Sequence, residues 1–252
     1  MRGLIRVSEH WFEFRDQIEN KFRSSFDEIL FIDLPGPSSF YDGLVNFRDT
    51  SYITKKILTQ LPLAAEIHFV GISLAGLLGL ELKSNYSDKF CSLVLINSSH
   101  PLLSRLYERI NLRAGSKIFL ARALSPHFAE IEIAKATINS LELQAKITPS
   151  LIKIFKNSPW SINKLIFQLI IATKIKTIPK STRERQNILI MASKNDRFVS
   201  WKSSVALAKS INAEIRVNEL AGHDLTTEDP DWCLEQLELF FSQLSKEKES
   251  VS

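Results

Sequence analysis

The sequence predicts an α/β fold: a mostly parallel sheet with helices on both faces and a helical insertion. Three observations carry this. An apolar strand-type run, Ile67 to Val70, leads through Gly71-Ile72-Ser73 into a helix-type run of small and apolar residues, Leu74 to Leu82. Further strand-type runs, Phe90 to Asn97, Asn187 to Ala192 and Glu214 to Leu220, are separated by helical patterns, as crossover-linked parallel strands require. Between them, residues 101–180 contain no convincing strand.

Each element follows from local pattern. The N-terminal stretch holds an aromatic run, His10-Trp11-Phe12-Glu13-Phe14, that opens a helix. Glu28 to Ile32 then reads as a strand ending in Asp33-Leu34-Pro35-Gly36. The helix after Ser73 is followed by the strand Phe90 to Asn97, which leaves His100 near the carboxyl edge of the sheet, in a loop read as solvated. Helical patterns in the insertion run from Leu102 to Ile110, Ser116 to Leu124, Ala129 to Leu141, Thr148 to Phe155 and Ser161 to Ile175. Ser158-Pro159 and Thr148-Pro149 serve as start signals. Ile162, Leu165, Ile166, Leu169, Ile170 and Thr173 form one stripe of the last of these, expected to pack on the core, with a pocket wall as the alternative. Lys174 to Arg185 reads as a solvated return loop. Val205, Leu207, Ala208 and Ile211 form the inward side of a helix from Trp201 to Ile211. Trp232, Leu234, Leu237, Leu239 and Phe240 do the same for the C-terminal helix.

Composition excludes more than it identifies. The chain has 252 residues, enough for one domain with a substantial core, and 44% hydrophobic with 24% charged content is ordinary for a globular protein. Net charge is +4, with basic residues read as scattered and not interleaved with aromatics, which argues against nucleic-acid binding. Cys91 and Cys233 match no metal spacing and read as buried free thiols, so neither metal nor cofactor is expected. No apolar stretch approaches the length of a membrane span, and no signal peptide is evident, which points to the cytoplasm. Oligomeric state is not legible.

Ser73 sits where a tight strand-to-helix turn pushes a hydroxyl clear of the sheet, and Gly71 and Ala75 are small where backbone passes close. Taken alone, the pentapeptide also fits an ordinary strand–Gly–Ser–helix junction. Asp196 and His223 follow in order, each just after a strand: Asp196 in Ser193-Lys194-Asn195-Asp196-Arg197-Phe198-Val199, and His223 in Ala221-Gly222-His223-Asp224. His68 reads as a core or sheet-edge residue, and Asp224 as a cap of the turn that follows it.

These motifs resemble the α/β-hydrolase superfamily, with the nucleophile elbow in the form G-x-S-x-A-G. The resemblance implies Ser73 as nucleophile, Asp196 as acid and His223 as base. It also makes residues 1–100 and 181–252 the core and 101–180 a helical cap over the site, where His100 and Leu169 would contact substrate. Arg2-Gly3-Leu4 occupies the slot of the family's His-Gly-x motif, so the backbone amides of Leu4 and Leu74 would form the oxyanion hole. Asp33 to Ser38 resembles the loop D-L-P-G-x-G, in which Asp33 is structural. The strand that precedes His-Gly-x in the family has no counterpart, so N-terminal strands are expected to be missing, with a shortened start as the explanation. The implied activity is a serine hydrolase acting on a carboxylic ester or thioester of a small, largely apolar molecule. An acyltransferase on the same residues and a non-catalytic binding protein of the same fold are the alternatives left open.

Overall fold

Strands β1 (Ile67–Ile72), β2 (Phe90–Ile96), β3 (Ile188–Ser193) and β4 (Glu214–Asn218) form one parallel sheet in sequence order. The computed structural model describes residues 1–35, 50–63, 66–178 and 187–251. Helices α1 (Glu13–Phe22) and α2 (Thr50–Leu58) precede the sheet, and α3 (Leu74–Asn85) carries the chain from β1 to β2. Among the described residues, five helices lie between β2 and β3: α4 (Leu106–Arg109), α5 (Leu112–Leu124), α6 (Pro126–Thr137), α7 (Leu141–Asn157) and α8 (Ile162–Lys174). Helix α9 (Trp201–Ile211) joins β3 to β4, and α10 (Leu225–Glu228) and α11 (Pro230–Val251) complete the chain.

The strands are apolar on both faces because both faces are covered. Phe69, Leu93, Leu95, Ile188 and Ile190 pack with α2, α3 and α9. Their alternates Ile72, Val94, Ile96, Leu189 and Met191 pack with Trp11, Phe14 and Phe22 near the N-terminus and with Leu237 and Phe240 of α11. Cys233 is buried in this second layer and Cys91 is half-buried; the two form no disulfide. His68 lies in β1, bonded through Nδ1 to Ser92 Oγ at 2.8 Å and packed against Phe26 and Phe241.

Three expectations are corrected. Glu28 to Ile32 is not a strand: no ladder partner lies beside it among the described residues, and Phe31 instead packs on Trp11 and beneath Arg15. Among the described residues the outer edge of β1 is met by Met1, whose amine donates to Val70 O at 2.8 Å and whose carbonyl accepts from Ile72 N at 3.2 Å. Thr148-Pro149 does not start a helix. Helix α7 begins eight residues earlier, where Ser140 Oγ accepts from Leu143 N at 3.2 Å, and it runs through Pro149. Burial of Ile147 and Leu151 on one face outweighs the single hydrogen bond that proline forfeits. On α8 the inward residues are Phe167, Gln168 and Ile171, whereas Ile166, Leu169 and Ile170 are exposed. The core-facing stripe is therefore rotated from the one expected, because Ile171 and Phe167 fill the layer over α3. Gly36 to Ser38 and most of the return loop lie outside the described residues.

Candidate active site

The turn between β1 and α3 places Ser73 at φ 56°, ψ −117°, a conformation that costs a non-glycine residue free energy and is held only if its surroundings fix it. Ser73 N donates to Ile96 O at 2.8 Å and Ser73 O accepts from Ser98 Oγ at 2.9 Å, so both backbone groups are tied to the neighbouring strand end. Glycine is required at 71, where an added Cβ would lie 2.7 Å from Ala75 C and Gly76 N. The Arg2-Gly3-Leu4 loop passes directly over the serine. A Cβ on Gly3 would fall 3.0 Å from Ser73 Cβ and 3.1 Å from Ile72 O. The amides of Leu4 and Leu74 donate to no protein group among the described residues.

Asp196 leaves β3 in a turn that its own Oδ1 organises, accepting from Phe198 N at 2.7 Å and Val199 N at 2.8 Å. The apolar residues just after the acid are thus its hydrogen-bond donors. Its Oδ2 lies 2.7 Å from Nδ1 of His223, with the two side chains almost fully buried. Carboxylate and imidazole in this contact place the Nδ1 proton toward Asp196 and leave Nε2 unprotonated in the neutral ring. The edge of Phe198 backs the imidazole, ring centres 5.3 Å apart.

Four anchors of this arrangement carry no motif. Asn97, itself at φ 47°, accepts through Oδ1 from Ser193 N at 2.7 Å and donates through Nδ2 to His223 O at 2.9 Å. It therefore links the ends of β2 and β3 to the histidine loop. Glu228 receives Gly222 N, and also Asn139 N at 2.6 Å and Ser140 N at 2.9 Å, joining that loop to the segment between α6 and α7. Arg2 and Asp224 form a buried ion pair at 2.6 Å, extended by Arg2 Nη1 to Thr226 Oγ1 at 3.0 Å and by the Trp11 ring 5.2 Å below the guanidinium. Burial alone would raise the Asp224 pKa, but Arg2 outweighs it and holds the carboxyl below its ordinary value. Asp224 thus binds Arg2 instead of capping the next turn with its side chain. The only legible trace of the pair was an arginine where the family carries histidine.

A cavity of about 500 Å³ opens over Ser73 and His223. Leu4, Arg2 and Arg6 form part of its wall, and Leu112, Ile118, Phe119, Ile133, Leu165 and Leu169 of the helices between β2 and β3 form most of the rest. This size suits a small ligand, and the lining is overwhelmingly apolar. Arg6 is neutralised within the wall by Glu130 at 2.7 Å, which also accepts from Trp160 Nε1 at 2.8 Å.

Leu169 lines the cavity, whereas His100 does not. It is fully buried, with Nε2 3.1 Å from Thr177 O and Nδ1 accepting from Leu102 N at 3.3 Å. The imidazole joins the two ends of the helical insertion, and burial, opposed by the Thr177 contact, lowers its pKa. Asp33 is structural, accepting from Ser8 N, and burial raises its pKa.

Solved structures place this architecture. An esterase from Rhodococcus superposes with a TM-score of 0.70 at 15% identity, over 96% of this chain and 88% of that one. An esterase from Exiguobacterium antarcticum gives 0.67 at 16% identity, over 95% and 90%. A thermophilic esterase from Thermogutta terrifontis gives 0.63 at 17% identity, over 96% and 88%. The chain has the α/β-hydrolase fold. Other hydrolases share it at similar likeness. No protein-family model matches the sequence, and no curated relative matches it.

Proposed function

We propose that this α/β-hydrolase-fold protein is a serine hydrolase that cleaves a carboxylic ester or thioester of a small, largely apolar substrate through an acyl-enzyme. The observation that carries the reading is the strained Ser73 sharing an apolar cavity with His223, whose far nitrogen is held by Asp196. The esterases among the structural neighbours support it.

Nε2 of His223 accepts the Ser73 proton as Oγ attacks the acyl carbon. Asp196 keeps the imidazole in the required tautomer and stabilises the imidazolium. The carbonyl oxygen becomes an oxyanion that takes hydrogen bonds from Leu4 N and Leu74 N; the second amide opens α3, whose dipole favours negative charge there. Proton return from His223 releases the alcohol or thiol. Water, deprotonated by the same imidazole, then attacks the acyl-enzyme and frees the acid and Ser73.

Residues 101–180 act as a cap in this reading, clamped at its ends by His100 and to the histidine loop through Glu228. Its apolar lining selects the acyl group. Stopped-flow hydrolysis of p-nitrophenyl butyrate and hexanoate tests the proposal. A burst of nitrophenol of about one equivalent, absent in Ser73→Ala, supports it; turnover unchanged in that variant refutes it.

A further inference from the structure

Charge is distributed unevenly between the helical insertion and the remainder. Residues 101–180 carry thirteen Lys and Arg against four Glu, while the rest of the chain carries nineteen against twenty-four acids. The basic residues remain scattered, but net positive charge is concentrated in this one segment because it holds so few acids. Exposed apolar surface is concentrated there too: of the sixteen large apolar side chains exposed among the described residues, twelve lie between Leu102 and Ile170.

The two properties meet at the cavity mouth. Leu112, Phe119 and Leu120 of α5 and Leu169 of α8 line the cavity yet are 58%, 46%, 62% and 36% exposed, so they form its rim. One turn beyond Leu120, Leu124 is 80% exposed. Arg113 and Lys117 stand exposed among these residues on α5, without an ion-pair partner among the described residues. Neither α5 nor α8 contains an acidic residue. A globular protein hides such side chains or surrounds them with mixed charge.

We propose that this rim, centred on α5, docks on an anionic lipid surface. Long aliphatic side chains interspersed with unpaired cations, and no acids, match an element that inserts its apolar groups at the acyl boundary while Lys and Arg meet headgroup phosphates. Charge complementarity selects anionic over neutral lipid. An acidic protein would satisfy the cations but would leave Leu124 and Leu120 without an apolar partner. Docked in this way, the cavity opens toward the acyl layer, and an apolar substrate passes from lipid to Ser73 without crossing water. No helix among the described residues is long and apolar enough to cross a membrane.

The orientation rests on reading the cavity as an acyl site, but the association does not. Binding is therefore measured on the Ser73→Ala protein, so that loss of esterase activity and loss of docking are separate results. Vesicles of phosphatidylcholine and phosphatidylglycerol in equal parts, and of phosphatidylcholine alone, are sedimented with the protein at low and moderate salt. Association with the mixed vesicles, weakened by salt and nearly absent on neutral ones, is expected. Lys117→Glu should weaken it about thirtyfold, since each unit of charge near the surface is worth about fivefold. Leu124→Asp should weaken it at least about tenfold. Both positions are solvent-facing, and unchanged circular dichroism confirms folding; Leu124→Ser repeats the second test with a milder change.

Failure of the parent protein to associate overturns the proposal, as does equal association with neutral vesicles. Sensitivity to Lys117→Glu without sensitivity to either Leu124 variant also overturns it. That result would assign the face to an acidic macromolecule recognised by charge alone.

Discussion

Asp224→Asn should destabilise the fold by about 3–5 kcal/mol, the range for removing one partner of a buried ion pair. The magnitude follows from the site. Arg2 and Asp224 are 2.6 Å apart with side chains only 4% and 10% exposed, so neither charge is recovered by solvent when its partner is lost. Two unit charges about 4 Å apart attract by about 4 kcal/mol at an effective dielectric of 20. With the carboxylate gone, the guanidinium retains, among the described residues, the Thr226 hydroxyl and the face of Trp11, neither of them anionic. Replacing both partners, Arg2→Met with Asp224→Leu, should recover most of the loss because no buried charge remains. The pH dependence has a definite sign. The folded pKa of Asp224 is lowered, so its contribution is present above the unfolded value of about 3.9 and is lost as pH falls through the folded value. Urea unfolding at pH 7 and again below pH 4 measures both effects. A single-variant cost below about 1 kcal/mol at pH 7, or a double variant as unstable as the sum of the singles, would refute the reasoning.

Three further outcomes bear on the site. Gly3→Ala sets a methyl against Ser73 Cβ and Ile72 O and moves the Leu4 amide away, so turnover on p-nitrophenyl esters should fall about 100- to 1000-fold while circular dichroism shows the protein still folded; full activity would remove Leu4 from the oxyanion hole. Asp196→Asn should lower turnover about 10⁴-fold, because the amide favours the wrong imidazole tautomer; a loss under tenfold would show that another group orients His223. Phe119→Ala and Leu169→Ala should shift the ratio of kcat/KM between butyrate and decanoate esters by about tenfold without changing the burst amplitude, and an unchanged ratio would remove these helices from acyl selection.

Much of this was legible because the decisive constraints are local. A strand running into Gly71-Ile72-Ser73 and then into small residues admits few backbone paths, and Asp196 and His223 each follow a strand whose apolar run marks it plainly. What sequence missed is long-range pairing. The bonds from Asn97 to the histidine loop, the three amides gathered by Glu228 and the Arg2–Asp224 pair join residues far apart in the chain, and no spacing announces them. His100 was misplaced because a loop position looks solvated until its partner, Thr177, is known. Helix α8 was read with the wrong face inward because its buried face carries a polar residue, Gln168, which is accommodated between Phe167 and Ile171 by accepting from Ile5 N, a partner far away in the chain. Phe167 therefore belongs to the core and does not touch the cavity.

The account's central claim is that Ser73 is the acyl-forming nucleophile, and covalent labelling tests it most directly. A fluorophosphonate probe followed by peptide mass mapping should place a single adduct on the tryptic peptide containing Ser73. Ser73→Ala should abolish the adduct, and His223→Gln should slow its formation strongly. An adduct on another residue, or labelling of the Ser73→Ala protein at the original rate, would contradict the claim.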